Sequence, residues 1–158
     1  MPFANPSIEQ IRTLLNRIHS VAVVGLSPNQ ARPSFMVARG LQSLGYRIIP
    51  VRPQHGGAEP SGAGVAASRP MVDRVLGEKA YPDLGSLPEL PDIVDVFRAA
   101  EHVPAIVESC IKLGIKNLWL QEGVIHEAAA QRALEAGITV VMNRCIWRDA
   151  MQLGSHSR

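Results

Sequence analysis

The stretch Val21-Ala22-Val23-Val24-Gly25-Leu26-Ser27 decides the fold of this chain. Four apolar residues in a row, with no alternating polar positions, are typical of a strand that is buried on both faces of a parallel sheet. The glycine directly after this run is followed by a loop and by Pro33 near a helix start, which indicates a strand–turn–helix unit. The stretch therefore predicts the first strand of an α/β domain, with a turn at its carboxyl end.

The rest of the chain repeats this unit. Ser7 and Gln10 have the spacing of a capping box and predict the start of an amphipathic opening helix. Further on, each helical pattern ends at a glycine suited to a left-handed C-cap, and an apolar strand follows it. The later predicted helices cover 33–44, 103–111 and 127–136, and the later predicted strands cover 46–51, 93–97, 115–120 and 138–142. This alternation predicts the α/β class, as a three-layer, Rossmann-like open parallel β-sheet with helices on both faces.

The length of 158 residues fits one domain, which we expect to span residues 1–153. Residues 54–72 are rich in Gly, Ala, Ser and Pro and keep neither the period of a strand nor that of a helix. A loop of this length is usually either functional or disordered, and because these residues carry no chemical signature, we expect a flexible, disordered loop insertion. We expect residues 154–158 to form a disordered tail.

The composition argues against several classes of function. Hydrophobic residues make up 46% of the chain and charged residues 19%, which supports a packed core, while the net charge is only +2 and aromatic residues are 4%. Scattered charges and few aromatic residues predict no nucleic-acid partner. Because the sequence has neither an apolar run of about 20 residues nor the pattern of a signal peptide, we expect no membrane partner and a cytoplasmic location.

The loop after the first strand is a candidate phosphate site. Ligands of open parallel sheets bind beyond the carboxyl ends of the strands, and N–H groups at a helix start favour an anion. Ser27, Arg32 and Ser34 add hydrogen-bond donors there. Gly25 does not begin the G-x-G-x-x-G pattern of dinucleotide sites, so spacing alone leaves a phosphate site and a simple tight turn equally open.

The residues after the second strand separate the nucleotide classes. An NAD site usually carries an acidic residue for the ribose about 20 residues after the glycines, but this chain reads Pro50-Val51-Arg52-Pro53 there. An arginine suits a phosphorylated ribose, as in NADP and in coenzyme A. A solvated surface arginine is the alternative that the sequence leaves open.

Seven motifs of this chain stand in the order that a known family shares. They are Val23-Val24-Gly25-Leu26-Ser27-Pro28-Asn29, Arg32-Pro33-Ser34, Gly45-Tyr46-Arg47-Ile48-Ile49-Pro50-Val51, Leu76-Gly77-Glu78-Lys79-Ala80-Tyr81, Asp95-Val96-Phe97-Arg98, Trp119-Leu120-Gln121 and Met142-Asn143-Arg144-Cys145-Ile146. With them the chain resembles the freestanding bacterial CoA-binding proteins, which are similar to the CoA-binding domain of succinyl-CoA ligase alpha subunits. The resemblance covers nearly the whole chain except residues 54–72 and the tail.

The resemblance implies a Rossmann-like domain that binds coenzyme A or an acyl-CoA. It implies that the CoA diphosphate faces Gly25, Leu26, Ser27, Arg32 and Ser34, and that Val51, Arg52 and Pro53 flank the adenosine, with Phe97 and Arg98 across the crevice. The chain departs from the family at Arg52, where an asparagine is common, and at Asn143, where an aspartate is common. It departs again in the length of 54–72.

Signs of catalysis are missing from the sequence, which has no Ser-His-Asp order, no paired-carboxylate motif and no metal-ligand spacing. We therefore expect a binding module that is not an enzyme by itself. An NADP-dependent oxidoreductase and a nucleotide-binding subunit of an acyl-CoA ligase are the alternatives, and a homo-oligomer or a protein partner stays open.

The sequence favours structural roles for most of the side chains whose chemistry could be reactive. We interpret His126 as a helix-start residue, Cys110 as core, and the pair Asp95 and Glu122 as polar strand-end residues. Cys145 follows an arginine, whose charge favours a thiolate, so a mixed disulfide with the thiol of bound CoA is an open hypothesis.

Overall fold

The computed structural model describes residues 3–53 and 74–154. The predicted loop insertion 54–72 and residues 155–158 of the predicted tail lie outside the described residues. In chain order the elements are α1 (Ile8–Arg17), β1 (Ser20–Val24), α2 (Pro33–Ser43), β2 (Arg47–Val51), β3 (Arg74–Val75), β4 (Glu78–Lys79), β5 (Ile93–Val96), α3 (Val103–Leu113), β6 (Asn117–Leu120), α4 (Glu127–Glu135), β7 (Thr139–Met142) and α5 (Ile146–Leu153). Two 3₁₀ turns, Leu84–Ser86 and Ala100–His102, flank β5.

Local sequence signals explain where the helices begin and end. The predicted capping box is present at α1: Ser7 Oγ accepts the Gln10 N–H at 3.1 Å, and Gln10 Oε1 accepts the Ser7 N–H at 2.8 Å. Helices α2 and α3 each have a proline in the first turn. A proline costs no helical hydrogen bond there, because the N–H groups of the first turn have no partner within the helix. Helix α3 ends at Gly114, whose φ of 80° is the predicted left-handed C-cap.

Five parallel strands form one sheet in the order β2-β1-β5-β6-β7. From β1 the chain first adds β2 on one side and then crosses over to add β5, β6 and β7 on the other side. The order of the strands therefore reverses between β1 and β5. The predicted Rossmann-like parallel α/β fold is confirmed.

Each face of the sheet carries its own core because successive side chains of a strand point to opposite faces. Val21 and Val23 of β1 belong to the core that includes residues of α1, α2 and α5. Ala22 and Val24 belong to the second core, which includes residues of α3 and α4. This burial on both sides explains why β1 is apolar at four consecutive positions.

A short antiparallel hairpin, β3 with β4, was not predicted. Its turn holds Leu76 and Gly77 at φ values of 56° and 80°. Strands of two residues are too short to show a period of two, so the sequence pattern did not reveal them. The chain after the hairpin then runs along the edge of β2, where Tyr81 pairs with Val51.

Candidate functional site

The carboxyl ends of β1 and β5 meet at Gly25. Its φ is 94°, and a Cβ on this residue would lie 2.5 Å from the carbonyl oxygen of Phe97. The Gly25 N–H donates to Val51 O at 2.8 Å, and the Phe97 N–H donates to Val24 O at 2.8 Å. Glycine is required here because the two strand ends approach too closely for a side chain and because φ is positive.

A cleft of about 300 Å³ opens at this junction, at the reversal of the strand order. We name it the arginine cleft. Its described lining residues are Gly25, Leu26, Ser27, Arg32, Arg52, Pro53, Phe97 and Arg98. All eight were predicted as site residues, and the structure brings them together. Their contact with a ligand stays a prediction.

The two other predicted site residues lie behind this lining. Ser34 is 5% exposed, and its Oγ accepts the Ser27 N–H at 3.0 Å. Val51 is 1% exposed, belongs to the core, and accepts the Gly25 N–H with its carbonyl oxygen. Both residues hold the loop and the strand end in place from below.

The loop between β1 and α2 is shaped by its own side chains. Ser27 Oγ accepts the Asn29 N–H at 3.0 Å, and Asn29 Oδ1 accepts the Ala31 N–H at 2.9 Å. Such bonds mimic backbone turns and order the loop before any ligand arrives. Helix α2 then begins with Arg32 as its N-cap residue. A guanidinium has only donors, so Arg32 cannot cap the helix N–H groups with its side chain. Its positive charge adds to the positive end of the helix dipole.

Three arginines, Arg32, Arg52 and Arg98, line the arginine cleft, and none of its described lining residues carries a carboxylate. The backbone of Arg52 is fixed from outside the cleft, since its N–H donates to Tyr81 O at 2.8 Å. The Nη2 of Arg98 lies 3.1 Å from His102 Nε2. A concave site with one sign of charge attracts the opposite sign, so this cleft favours a polyanion.

An apolar recess of about 140 Å³ adjoins the cleft at Pro53. Its other described lining residues are Val24, Val51, Pro82, Asp83, Leu84, Ala105, Ile106 and Ser109. Sequence reasoning missed the part contributed by α3. Ala105, Ile106 and Ser109 follow an ordinary helical pattern, so no local signal indicated that they border a recess.

Two of the reactive side chains behave as interpreted. His126 is the N-cap residue of α4, and its Nδ1 accepts the Ala129 N–H at 3.1 Å. Cys110 is completely buried, and burial raises the pKa of its thiol to about 12. Cys145 is also buried, at the N-cap position of α5, and its reactivity stays a hypothesis.

The interpretation of Asp95 as a polar strand-end residue is wrong. Asp95 lies inside β5, between Val23 of β1 and Trp119 of β6, and is completely buried. Within the described ranges, neither carboxylate oxygen has a hydrogen-bond partner. Burial raises the pKa of Asp95 well above its ordinary value, because the low-dielectric interior disfavours the charged form. Glu122, by contrast, is half exposed and pairs with Arg148 at 2.8 Å.

Within residues 3–53 and 74–154, no group of three His, Cys, Asp or Glu side chains is placed to hold a metal ion. None of the helices described in them has the length and apolar character needed to cross a bilayer.

The family described as CoA binding domain matches residues 19–150. This chain belongs to that family. The resemblance inferred from the seven motifs is thereby confirmed. In CoA binding domain proteins a small-molecule ligand is expected, and the arginine cleft lies within the matched residues.

Known proteins and solved structures are similar to this chain. The uncharacterized protein YneT of Bacillus subtilis (strain 168) is 37% identical over 142 residues, which cover 90% of this chain and 93% of that protein. The ADP-forming acetate–CoA ligase II of Archaeoglobus fulgidus is 28% identical over 100 residues, which cover 62% of this chain and 12% of the ligase. This chain thus corresponds to a small part of that enzyme. The solved structure of a hypothetical protein from Pyrococcus horikoshii OT3 has a TM-score of 0.79 and 31% identity, covering 97% of this chain and 99% of that one.

Proposed function

We propose that this chain binds coenzyme A or an acyl-CoA in the arginine cleft and acts as a binding module without catalysis of its own. The observation that carries the proposal is the convergence of Arg32, Arg52 and Arg98 at the reversal of the strand order. Coenzyme A has a diphosphate and a ribose 3′-phosphate, so it offers several negative charges close together. Membership of the CoA binding domain family supports the same ligand.

The shape of the site supports one orientation of the ligand. The diphosphate goes to the loop at Gly25 and to Arg32, where the start of α2 adds a positive dipole. The adenine ring goes to the apolar recess, which lies between the strand ends and α3. Pro53 lines both places and Arg52 lines the cleft next to it, so the 3′-phosphate goes to Arg52.

The proposal of a non-catalytic module rests on the lining of the arginine cleft. Ser27 supplies the hydroxyl among the described lining residues, and its Oγ already accepts the Asn29 N–H. A nucleophilic serine needs a base within hydrogen-bond distance, and the described lining residues include no histidine or carboxylate.

Two alternatives share these observations. NADP also carries a phosphorylated ribose, whose phosphate suits an arginine such as Arg52. The similarity to part of an acetate–CoA ligase favours a subunit that presents CoA to a catalytic partner. The choice between NADP and CoA as ligand distinguishes the first alternative from the proposal. The second alternative is distinguished by whether turnover requires a partner protein.

Thermal unfolding with a panel of nucleotides tests the proposal, because a ligand that binds only the folded state raises the melting temperature. We expect stabilisation by CoA and acetyl-CoA, less by dephospho-CoA, and none by NAD. Arg52→Gln should lower CoA affinity about ten-fold, which corresponds to about 1.4 kcal/mol, and leave dephospho-CoA binding nearly unchanged. Stabilisation by NADP without stabilisation by CoA would reject the proposal.

A further inference from the structure

Cys145 lies at the edge of the sheet where the parallel strands end. It follows the carboxyl end of β7 and is the N-cap residue of α5, whereas Cys110 lies within α3. Cys145 is 8% exposed and its side chain makes no capping hydrogen bond, while Cys110 is 0% exposed. Ligands of an open parallel sheet bind beyond the carboxyl ends of its strands. Of the two thiols, that of Cys145 therefore stands on the side of the sheet where a ligand binds.

Gln121 presents an unused hydrogen-bond donor beside Cys145. Its Oε1 accepts the N–H of Ile146, the residue after Cys145, at 3.0 Å, which fixes the orientation of the amide. Gln121 is only 3% exposed, and its Nε2 has no acceptor among the described residues. The unpartnered side-chain atoms enclosed in the interior of those residues belong to Asp95, so Nε2 is accessible from outside. Because buried donors are paired as a rule, an oriented donor without a protein acceptor indicates a ligand acceptor at this place.

The end of β6 connects the arginine cleft with Cys145. The Gln121 N–H donates to Val96 O at 3.3 Å, and Phe97, the residue after Val96, lines the cleft. The strand order β1-β5-β6-β7 therefore leads from Gly25 past Phe97 and Gln121 to Cys145. Neighbouring strands of a sheet lie about 4.8 Å apart, so three steps separate the ends of β1 and β7 by about 14 Å.

The pantetheine arm of CoA has the length and the polar groups for this route. Two amide groups lie between the diphosphate and the thiol, and the arm is about as long as four peptide residues, which span about 14 Å when extended. With the diphosphate at Gly25, an extended arm brings its thiol to the end of β7. One of its amide carbonyls then lies at the end of β6, where Gln121 Nε2 lacks an acceptor.

We propose that Cys145 forms a reversible mixed disulfide with CoA bound in the arginine cleft, and that Gln121 positions the arm by donating to a pantetheine carbonyl. The proposal rests on the proposed function and adds control of the same site by oxidation. The oxidant is CoA disulfide, in which two CoA molecules share an S–S bond. The Cys145 thiol loses its proton to solvent, and its sulfur attacks one sulfur of the bound disulfide. A protein–CoA S–S bond forms, the original S–S bond breaks, and the second CoA leaves as a thiolate that takes up a proton.

Intact mass spectrometry after incubation with CoA disulfide tests the bond. We expect one CoA on each wild-type chain, and its loss on reduction with dithiothreitol. Cys110→Ala should keep the adduct and Cys145→Ala should lack it, because the Cys110 thiol is enclosed in the core. Trypsin cleaves after Arg144 and Arg148, so the peptide 145–148 of the wild type should carry the CoA, which locates the bond without any variant. No adduct, or an adduct on Cys110, would overturn the proposal.

Pantethine, the disulfide of pantetheine, has the same arm without the nucleotide and shows whether the cleft directs the reaction. Binding in the cleft raises the local concentration of the disulfide, so CoA disulfide should react at least about ten-fold faster than pantethine. Arg32→Gln should slow the reaction of CoA disulfide about ten-fold and leave that of pantethine unchanged. Equal rates for the two reagents in the wild type would overturn the proposal.

Gln121→Glu tests the positioning role. The variant keeps an acceptor for the Ile146 N–H but has no donor, so CoA disulfide should react about five-fold more slowly, as the loss of one hydrogen bond predicts. An unchanged rate would overturn the role of Gln121. Thermal unfolding separates the two proposals: no stabilisation by CoA rejects the proposed function, whereas stabilisation by CoA without an adduct at Cys145 rejects the mixed disulfide alone.

Discussion

Two cavities of this protein differ in volume and in the charge of their lining, and the larger one is not the proposed ligand site. A groove of about 760 Å³ lies beside α1 and the start of β7, whereas the arginine cleft has about 300 Å³. The described residues that line this α1 groove are Ala4, Asn5, Pro6, Glu9, Gln10, Thr13, Leu14, Arg17, Leu134, Gly137, Ile138, Thr139 and Val140. The larger cavity therefore lies at the amino end of an edge strand, away from the reversal of the strand order.

The polar groups of the α1 groove serve the fold. Asn5 spans the edge of the sheet, because its Nδ2 donates to Met142 O at 3.0 Å and its Oδ1 accepts the Met142 N–H at 2.7 Å. Glu9 pairs with Arg12, and Gln10 belongs to the capping box of α1. The described lining of the arginine cleft instead carries three positive charges that converge. Convergent charge, more than volume, favours this cleft as the proposed ligand site.

Each region contains a glycine with positive φ, and replacing both with alanine gives the largest expected difference. At Gly25 the new Cβ would meet the Phe97 carbonyl oxygen at 2.5 Å, whereas at Gly137 nothing lies within 4 Å. We expect Gly25→Ala to lower the free energy of unfolding by about 3 kcal/mol and Gly137→Ala by about 1 kcal/mol. Urea unfolding measures both, and equal losses would show that the strand ends at Gly25 can move apart.

Asp95, buried below the arginine cleft, gives the next largest effect. The raised pKa means that the folded protein keeps this proton at pH values where the unfolded chain, with a pKa of about 3.9, has already released it. Its contribution to stability is therefore complete below about pH 4 and is lost as the pH rises towards the raised pKa. Asp95→Asn, which stays neutral, should remove this decline and raise the free energy of unfolding at pH 7 by about 2 kcal/mol.

Asp149 is the matched control for Asp95. It is buried as well, but it accepts two hydrogen bonds from Arg144, at 2.6 and 3.0 Å. Asp149→Asn leaves the guanidinium without its charge partner, so it should destabilise the protein. The opposite signs of the two substitutions, measured by urea unfolding between pH 5 and 8, would separate an unpartnered carboxyl from a paired one. Destabilisation by both would contradict the assignment of Asp95.

Arginine substitutions compare the two cavities as binding sites. Arg32→Gln removes a charge from the arginine cleft and should weaken CoA binding about ten-fold, or about 1.4 kcal/mol. Arg17→Gln makes the same change in the α1 groove and should leave the affinity within experimental error. Calorimetry at one ionic strength checks both variants. A larger effect of Arg17→Gln on CoA affinity would indicate that the ligand binds in the α1 groove.

Asn5→Ala gives the smallest expected change. It removes two side-chain hydrogen bonds to Met142 and should lower the free energy of unfolding by about 1 kcal/mol. CoA affinity should not change, because the α1 groove serves the fold. Unfolding and calorimetry on the same preparation would contradict this interpretation if stability were unchanged and affinity fell.

The sequence predicted the α/β fold well because its signals are local. The capping box at Ser7, the prolines at helix starts and the glycine C-caps act within a few residues, and the strands are marked by apolar runs. Eight of the predicted site residues line one cleft because the carboxyl ends of parallel strands meet at one edge. The hairpin β3–β4 escaped prediction because two-residue strands have no readable period.

Some properties of the site depend on which strands are neighbours. The sequence by itself determined that Gly25 ends a buried strand and that arginines follow the strand ends. Only the tertiary structure decided that β1 lies beside β5, which brings Phe97 against Gly25 and makes glycine necessary there. It also decided that Asp95 faces the interior without a hydrogen-bond partner among the described residues, that α3 closes an apolar recess, and that His102 reaches Arg98. These outcomes depend on strand order and register, which are set by packing between residues far apart in the chain.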